Sequence, residues 1–245
     1  MSKLFADVAR TLVPPRGDPH GPLPPLLVVL TVVTGVVDAV SYLALGHVFV
    51  ANMTGNVVFL GFALAGASGL SAPPSLAAMS AFLLGALAGG RLARRFAARR
   101  GQLLALTTSL QTVLVVAAVL VSLAVHAKVT GGVQYTLIVL LGMGMGLQNA
   151  VVRGLGVPDL NTTVLTMTLT GLAADSAPAG GDDRHPGRRA LSVLAMFTGA
   201  FLGAQLLLHT RLEAPLGLAL LLLVGASATV LRLSRGAPGW LTPPG

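Results

Sequence analysis

Asp38 is the only acidic residue between Asp18 and Asp159, and it stands late in the apolar run "PLLVVLTVVTGVVDAVSYLAL". A carboxylate in hydrocarbon is costly unless it is paired or protonated. Its placement admits a proton or cation site, one half of an internal ion pair, or a surface carboxylate capping the next helical element. A second polar cluster follows in "VFVANMTGNVVFL", residues 48–60. Asn52, Thr54 and Asn56 offer amide and hydroxyl ligands, and Gly55 among them permits close approach or an unusual backbone angle. Further on, "GLQNAVVRG" carries Gln148, Asn149 and Arg153. The two amides can hold a substrate or tie helices together. Arg153 reads either as the counter-charge of Asp38 or as an arginine snorkelling from a helix end. "NTTVLTMTLTG" then adds Asn161, Thr162, Thr163, Thr166, Thr168 and Thr170. At helical spacing Thr163, Thr166 and Thr170 share a face. Threonine hydroxyls also bond back to their own helix, so such a face can be purely structural.

Groups of this kind bind and release; they do not break bonds. The chain has no HExxH, no GxSxG and no Walker A lysine, and "GMGMG" at 142–146 lacks the pattern of a phosphate loop. Its five histidines, at 20, 47, 126, 185 and 209, form no local metal motif, and there is no cysteine for disulfide, iron–sulfur or thiol chemistry. Asp182 and Asp183 lie in "AGGDDRHPGRR", which reads as a solvated loop. No catalytic residue, metal or cofactor is expected. The sites named above suit a small solute or a proton.

Composition fixes the setting in which they must work. Of 245 residues, 54% are hydrophobic and 10% charged, with a mean hydropathy of +0.82. Soluble domains carry about 25% charged residues. A run of roughly 20 apolar residues crosses a bilayer as a helix, and such runs recur along the chain. Apolar segments are expected near 24–44, 48–68, 75–93, 102–125, 133–154, 160–175, 190–209 and 214–233. The net charge of +8 is concentrated in tracts such as "RLARRFAARR" at 91–100, which suit the cytoplasmic edge of a bilayer better than nucleic acid.

The two halves echo one another. "TGVVDAV" at 34–40 resembles "MGLQNAV" at 145–151, "NMTG" at 52–55 resembles "TLTG" at 168–171, and "LLGALAGG" at 83–90 resembles "FTGAFLGA" at 197–204. Gly85 and Gly89, like Gly199 and Gly203, have the spacing that lets helix backbones approach. Gly171 matches Gly55. Eight full crossings would put the 91–100 tract outside. Six crossings, with segments two and six broken or partial, leave Lys3, Arg10, Arg16, the 91–100 tract, Arg232 and Arg235 all inside. Three crossings per half then make the halves inverted, a recurrent transporter plan. The expected architecture is an all-α polytopic membrane protein. It has a disordered cytoplasmic tail (1–22), two membrane repeats (23–128 and 129–234) and a C-terminal tail (235–245). Lipid is the expected partner, with a homo-oligomer left open. A membrane scaffold or sensor, with the polar groups as interhelical hydrogen bonds, is the alternative function.

The segments "GVVDAVSYLALGHVFVANMTGNVVFLG", "GLQNAVVRGLG" and "TVLTMTLTG" resemble the YoaK-like family of bacterial integral membrane proteins, whose function is not assigned. The resemblance covers roughly residues 24–233. It implies an inner-membrane protein with about six transmembrane helices, and it carries over no substrate and no catalytic residue.

Overall fold

Backbone at membrane depth must satisfy its own hydrogen bonds, and the long apolar runs do so as helices. The computed structural model describes residues 2–124, 131–160, 162–163, 165–176, 179–181 and 185–234. His126, Asn161, Asp182, Asp183, Arg235, the tail 235–245 and the side chain of Lys3 lie outside the described residues. The described helices are α1 (Ser2–Leu12), α2 (Leu23–Ala44), α3 (Met53–Leu64), α4 (Ala72–Arg95), α5 (Arg100–Ala124), α6 (Gly131–Leu155), α7 (Leu165–Ala174), α8 (Pro186–His209) and α9 (Glu213–Ser234). Proline opens α2, α4 and α8 at the first positions, where its missing N–H is no loss.

Six of these, α2, α4, α5, α6, α8 and α9, are long and apolar enough to span. Of the other three, α1 belongs to the leader, and the two short apolar helices, α3 and α7, do not span. At 1.5 Å per residue, α3 is about 18 Å long and α7 about 15 Å, against a hydrocarbon core of about 30 Å. The eight-crossing alternative fails on length. Segments 48–68 and 160–175 each contain one short helix preceded by non-helical chain.

The element order from α2 to α5 is long, short, long, long, and from α6 to α9 it is the same. The tightest packing pairs α4 with α6 and α2 with α8, and glycine permits both. A Cβ on Gly146 would fall on the Phe82 carbonyl and the Ala86 nitrogen; on Gly35 it would fall on the Met196 carbonyl and the Ala200 nitrogen. Gly85 faces Met143 and Gly89 faces Leu147 and Ala150, while Gly199 faces Val32 and Gly203 faces Val36 and Ala39. Every one of these contacts in the first pair has its counterpart in the second. The counterpart lies 111 residues away for the α2/α6 member and 114 for the α4/α8 member. α2 and α6 are the most enclosed spans, whereas α4 and α8 turn Leu83, Leu87, Phe197 and Phe201 outward.

A buried amide chain ties the centre. Gln111 Nε2 on α5 donates to Gln148 Oε1 on α6 at 2.8 Å, and Gln148 Nε2 donates to Thr34 Oγ1 on α2 at 3.0 Å. The same α6 closes both faces of the bundle. Gln134 Nε2, near its start, donates to the Leu45 carbonyl at the end of α2 at 2.9 Å. Its last carbonyl, Leu155, accepts from Arg100 Nη2 at the start of α5.

The leader is not disordered as expected, because α1 has a docking partner. Asp7 Oδ2 accepts the N–H groups of Gly187 at 2.8 Å and Arg188 at 3.2 Å, capping the first turn of α8 from another helix. Nothing near position 7 in sequence announces a bond to position 187. Phe5 and Leu12 on α1, and Val13 just after it, stay exposed, the pattern of a helix lying in the membrane interface.

Candidate functional site

After α2 the chain turns back through Gly46 (φ +89°) and His47 (φ +57°), a left-handed conformation that glycine adopts freely. Residues 48–52 then run back into the bundle without helical hydrogen bonds, and side chains supply what the backbone lacks. Asp38 Oδ1 accepts the N–H of Val50 at 3.0 Å and of Ala51 at 2.9 Å, and Oδ2 accepts Asn52 Nδ2. Asn56 clamps the Phe49 peptide: Oδ1 accepts its N–H at 2.9 Å and Nδ2 donates to its carbonyl at 2.6 Å. Gly55 leaves room for the Phe49 ring, since a Cβ there would stand 2.6 Å from Cδ2. Two asparagines in an apolar run are what a non-helical stretch at this depth requires. Asp38 is therefore filled by donors from 50–52, and the ion pair with Arg153 considered from sequence is not formed. Arg153 is exposed at the end of α6.

The second half repeats the arrangement with different groups. The chain turns at Gly156 (φ +61°), and Asn149 Oδ1 accepts Thr163 Oγ1 at 2.5 Å. Asn149 Nδ2 donates to Met145 O of its own helix at 3.0 Å. Asp38 and Asn52, like Asn149 and Thr163, are 14 residues apart. Arg189 on α8 locks the returning segment: Nε donates to Asp159 Oδ1 at 2.9 Å and Nη1 to Asp175 Oδ2 at 2.7 Å. Gly171 is bare where that guanidinium crosses α7, with Cζ 2.7 Å from a Cβ built there.

Both returning segments deliver a helix N-terminus to one cavity of about 940 Å³. Asn52, Met53 and Thr54 bring the start of α3; Leu165, Thr166 and Met167 bring the start of α7. Asn149, Arg153 and Arg94 line it from the C-terminal parts of α6 and α4, with Thr162 and Thr163 between. Each helix start carries roughly half a positive charge, and none of the described lining residues is acidic. Thr162 is 1% exposed, and its hydroxyl has no hydrogen-bond partner among the described residues.

The sequence-derived residues therefore divide. Asn52, Thr54, Asn149, Arg153 and Thr166 stand together in the cavity wall, while Asp38 and Asn56 lie behind it, holding the chain that forms it. Gln148 serves the interhelical amide chain, and Thr170 is exposed away from the cavity. Arg94, Asp159, Asp175 and Arg189 were not singled out. Arg94 sits inside a basic tract that reads as an anchor, and the Arg189 bridges join positions whose nearness only the fold creates. Gln111 was not singled out either, although an amide within "TTSLQTVLVV" is a signal that could have found it. Among the described residues no group of three or more His, Asp or Glu side chains is placed to hold a metal.

The family model for proteins of unknown function, DUF1275, matches residues 26–229. The chain belongs to the DUF1275 family. It is 33% identical over 153 residues to the UPF0700 transmembrane protein YoaK of Bacillus subtilis (strain 168). That alignment covers 61% of this chain and 65% of the relative, slightly under two thirds of its length. No solved structure matches. This DUF1275 protein is a multi-pass membrane protein of six spanning helices, and the paired short helices fall within the region the family model covers.

Proposed function

We propose that this DUF1275 protein passes a small solute or ion across the bacterial inner membrane, as a secondary transporter or channel. Its polar site lies at the interface of two inverted repeats, 23–128 and 129–234, with both termini cytoplasmic. One observation carries the reading: two short helices, one from each half, aim their N-termini into the same cavity. Broken helices meeting at the bilayer midplane are the recurrent substrate site of inverted-repeat transporters. Irregular backbone is tolerated at that depth where it is enclosed by protein or lines a polar cavity. The matched glycine contacts at offsets of 111 and 114 residues support the duplication. Three spans per half support its inversion. Arg94 and Arg153 line one cavity, Arg100 bonds the last carbonyl of α6, and Arg100 and Arg188 both act on His20, so these arginines share one end of the bundle, which supports a cytoplasmic placement of that face.

The saturation of Asp38, Asn56 and Gln148 by protein partners favours a structural part for those three, as the scaffold reading holds. Asn52, Asn149 and Thr163 in the wall are likewise engaged by protein partners, which leaves Thr54, Thr166, Arg94 and Arg153 to meet a solute.

The cysteine-free chain makes the test direct. Single cysteines at Thr54, Asn149 and Thr166 are expected to react with a membrane-impermeant thiol reagent, while cysteines at the outward-facing Leu83 and Leu87 do not. Reagent applied from each side in turn reads which face the cavity opens to. A cavity whose three cysteines stay unmodified from both sides is dry, and a solute pathway is then ruled out.

A further inference from the structure

We infer that the cavity takes a small organic anion, an oxyacid head group on an apolar body, with the head at the N-terminus of α7. The inference rests on the solute-pathway reading above and names its substrate class. Four independent features of the wall converge on it.

Two helix N-termini face the space, and each favours negative charge. Thr162 is buried in the same wall with its hydroxyl unpartnered among the described residues. An orphaned buried hydroxyl is rare, and this one belongs to a residue of the cavity wall. Arg94 and Arg153 add two guanidinium groups at the mouth, whose planar fork matches a carboxylate or another oxyanion. Neither nearby acid is among the described lining residues: the Asp38 carboxylate faces Val50, Ala51 and Asn52, and Asp159, on the segment leading to α7, is paired with Arg189.

Asp38 also decides which end of the space receives the charge. It offsets the positive end of α3, whereas the corresponding position behind α7 holds neutral Asn149. The uncompensated end is α7, beside Thr162 and Arg153. Met53, Phe82, Met167 and Met196 form an apolar part of the wall, and its methionines are deformable. A volume of about 940 Å³ lies within the range of about 300–1,000 Å³ that small-molecule sites use, far more than a bare halide fills. An anionic phospholipid presents the same head and body as a free organic acid, so the source has to be read by experiment.

The test is a titration of the purified full chain in neutral detergent at fixed ionic strength, following the melting midpoint. The probes are butyrate and butane-1-sulfonate, with uncharged butyramide and cationic butyltrimethylammonium alongside. Both anions are expected to raise the midpoint saturably and the other two to leave it unchanged. Thr162→Val and Arg153→Gln are expected to weaken half-saturation about tenfold each, as loss of a charge-assisted hydrogen bond does. Thr162→Ser should restore most of it, and Arg153→Lys, which keeps the charge but loses the planar fork, only part of it. In phosphatidylcholine nanodiscs the anions should titrate as in detergent. Competition when phosphatidylglycerol is added upholds the class and assigns the natural occupant to lipid, and its absence upholds the class as a free solute. A saturable rise from the cation or the amide alone, or from none of the probes, overturns the anion assignment. Failure of the pathway reading shows separately, as cysteines in the wall that no aqueous reagent reaches.

Discussion

A carboxylate at 38 and an amide at 149 do the same mechanical work. Each stands late on the first span of its half and holds a residue 14 positions on, so that non-helical chain can return into the bundle. Asp38 is suited to its place because three donors converge on it, and any replacement must still accept from two buried backbone N–H groups. Asp38→Asn keeps one acceptor but turns an NH₂ group toward the NH₂ of Asn52. That single change is expected to destabilise the protein by about 1–3 kcal/mol, the scale of an unsatisfied buried donor. Asn52→Asp places two carboxylates together and should be at least as damaging. The double exchange, Asp38→Asn with Asn52→Asp, restores one donor facing one acceptor. It should recover most of the loss in a double-mutant cycle followed by thermal melting. Additive losses would mean that the pair does not interact. The polar members of both clusters were legible because polar atoms in apolar runs stand out. Their partners were not, since a bond across a non-helical return leaves no periodic trace.

At the level of whole helices, glycine is the determinant. The notches at Gly85 and Gly199 let α4 approach α6 and α8 approach α2 until backbone meets backbone; a Cβ would come within 2.8 Å of the Met143 carbonyl carbon in one case and 2.9 Å of the Val32 one in the other. Neither neighbour is a flexible side-chain tip, so the helices must separate. Gly85→Ala and Gly199→Ala are each expected to cost about 1–3 kcal/mol as overpacking does. Gly217→Ala and Gly225→Ala on α9 meet open space and should be neutral or stabilising by up to about 1 kcal/mol, as alanine favours a helix. Melting of the four variants in one detergent checks the contrast, and equal effects at all four positions would contradict it. These notches were legible as small residues four apart, and so were the six spans. The inner limits of α3 and α7 were not, because an apolar run long enough to cross reads the same whether it is helical throughout or only in its second half. The docking of α1 was missed for a related reason: a short, charged, proline-flanked leader carries its one decisive contact, from Asp7, to a distant residue.

Across the molecule, the arginine-bearing face is where the parts are joined. There His20, in the link between α1 and α2, lies with its Nδ1 3.4 Å from Arg100 Nη2. Burial, then the guanidinium groups of Arg100 and Arg188, with a smaller contribution from His185, hold the His20 imidazole below the ordinary histidine range, against the opposing pull of Asp18. Folding therefore favours the neutral ring. The resulting stability is fully present above the unfolded-state value of 6.5 and is lost as pH falls through the lower folded-state value. Thermal melts from pH 8 down to pH 5 are expected to show a midpoint that declines below that range. A His20→Gln variant should flatten the decline, whereas an unchanged slope would assign it to other groups. Three motifs recur in order at offsets of 111, 116 and 114 residues, and the glycine contacts pair at two of those offsets, 111 and 114, which supports the proposed plan of two similar halves. Which cavity the halves enclose was not readable, since its wall is drawn from α3, α4, α6, α7 and α8 together.

The bond from Asp7 to the first turn of α8 joins residues 180 positions apart, and the order of synthesis gives that distance a duration. At about 5–20 residues per second, α8 leaves the ribosome roughly 10–40 s after α1. Throughout that interval α1 has no α8 to cap, while four spanning helices are inserted between them. Its exposed Phe5 and Leu12, with Val13 just after it, give it somewhere to wait, flat on the leaflet beside the growing bundle. The helix made before all the spans is among the last to reach its place, and its arrival marks the bundle as assembled through α8.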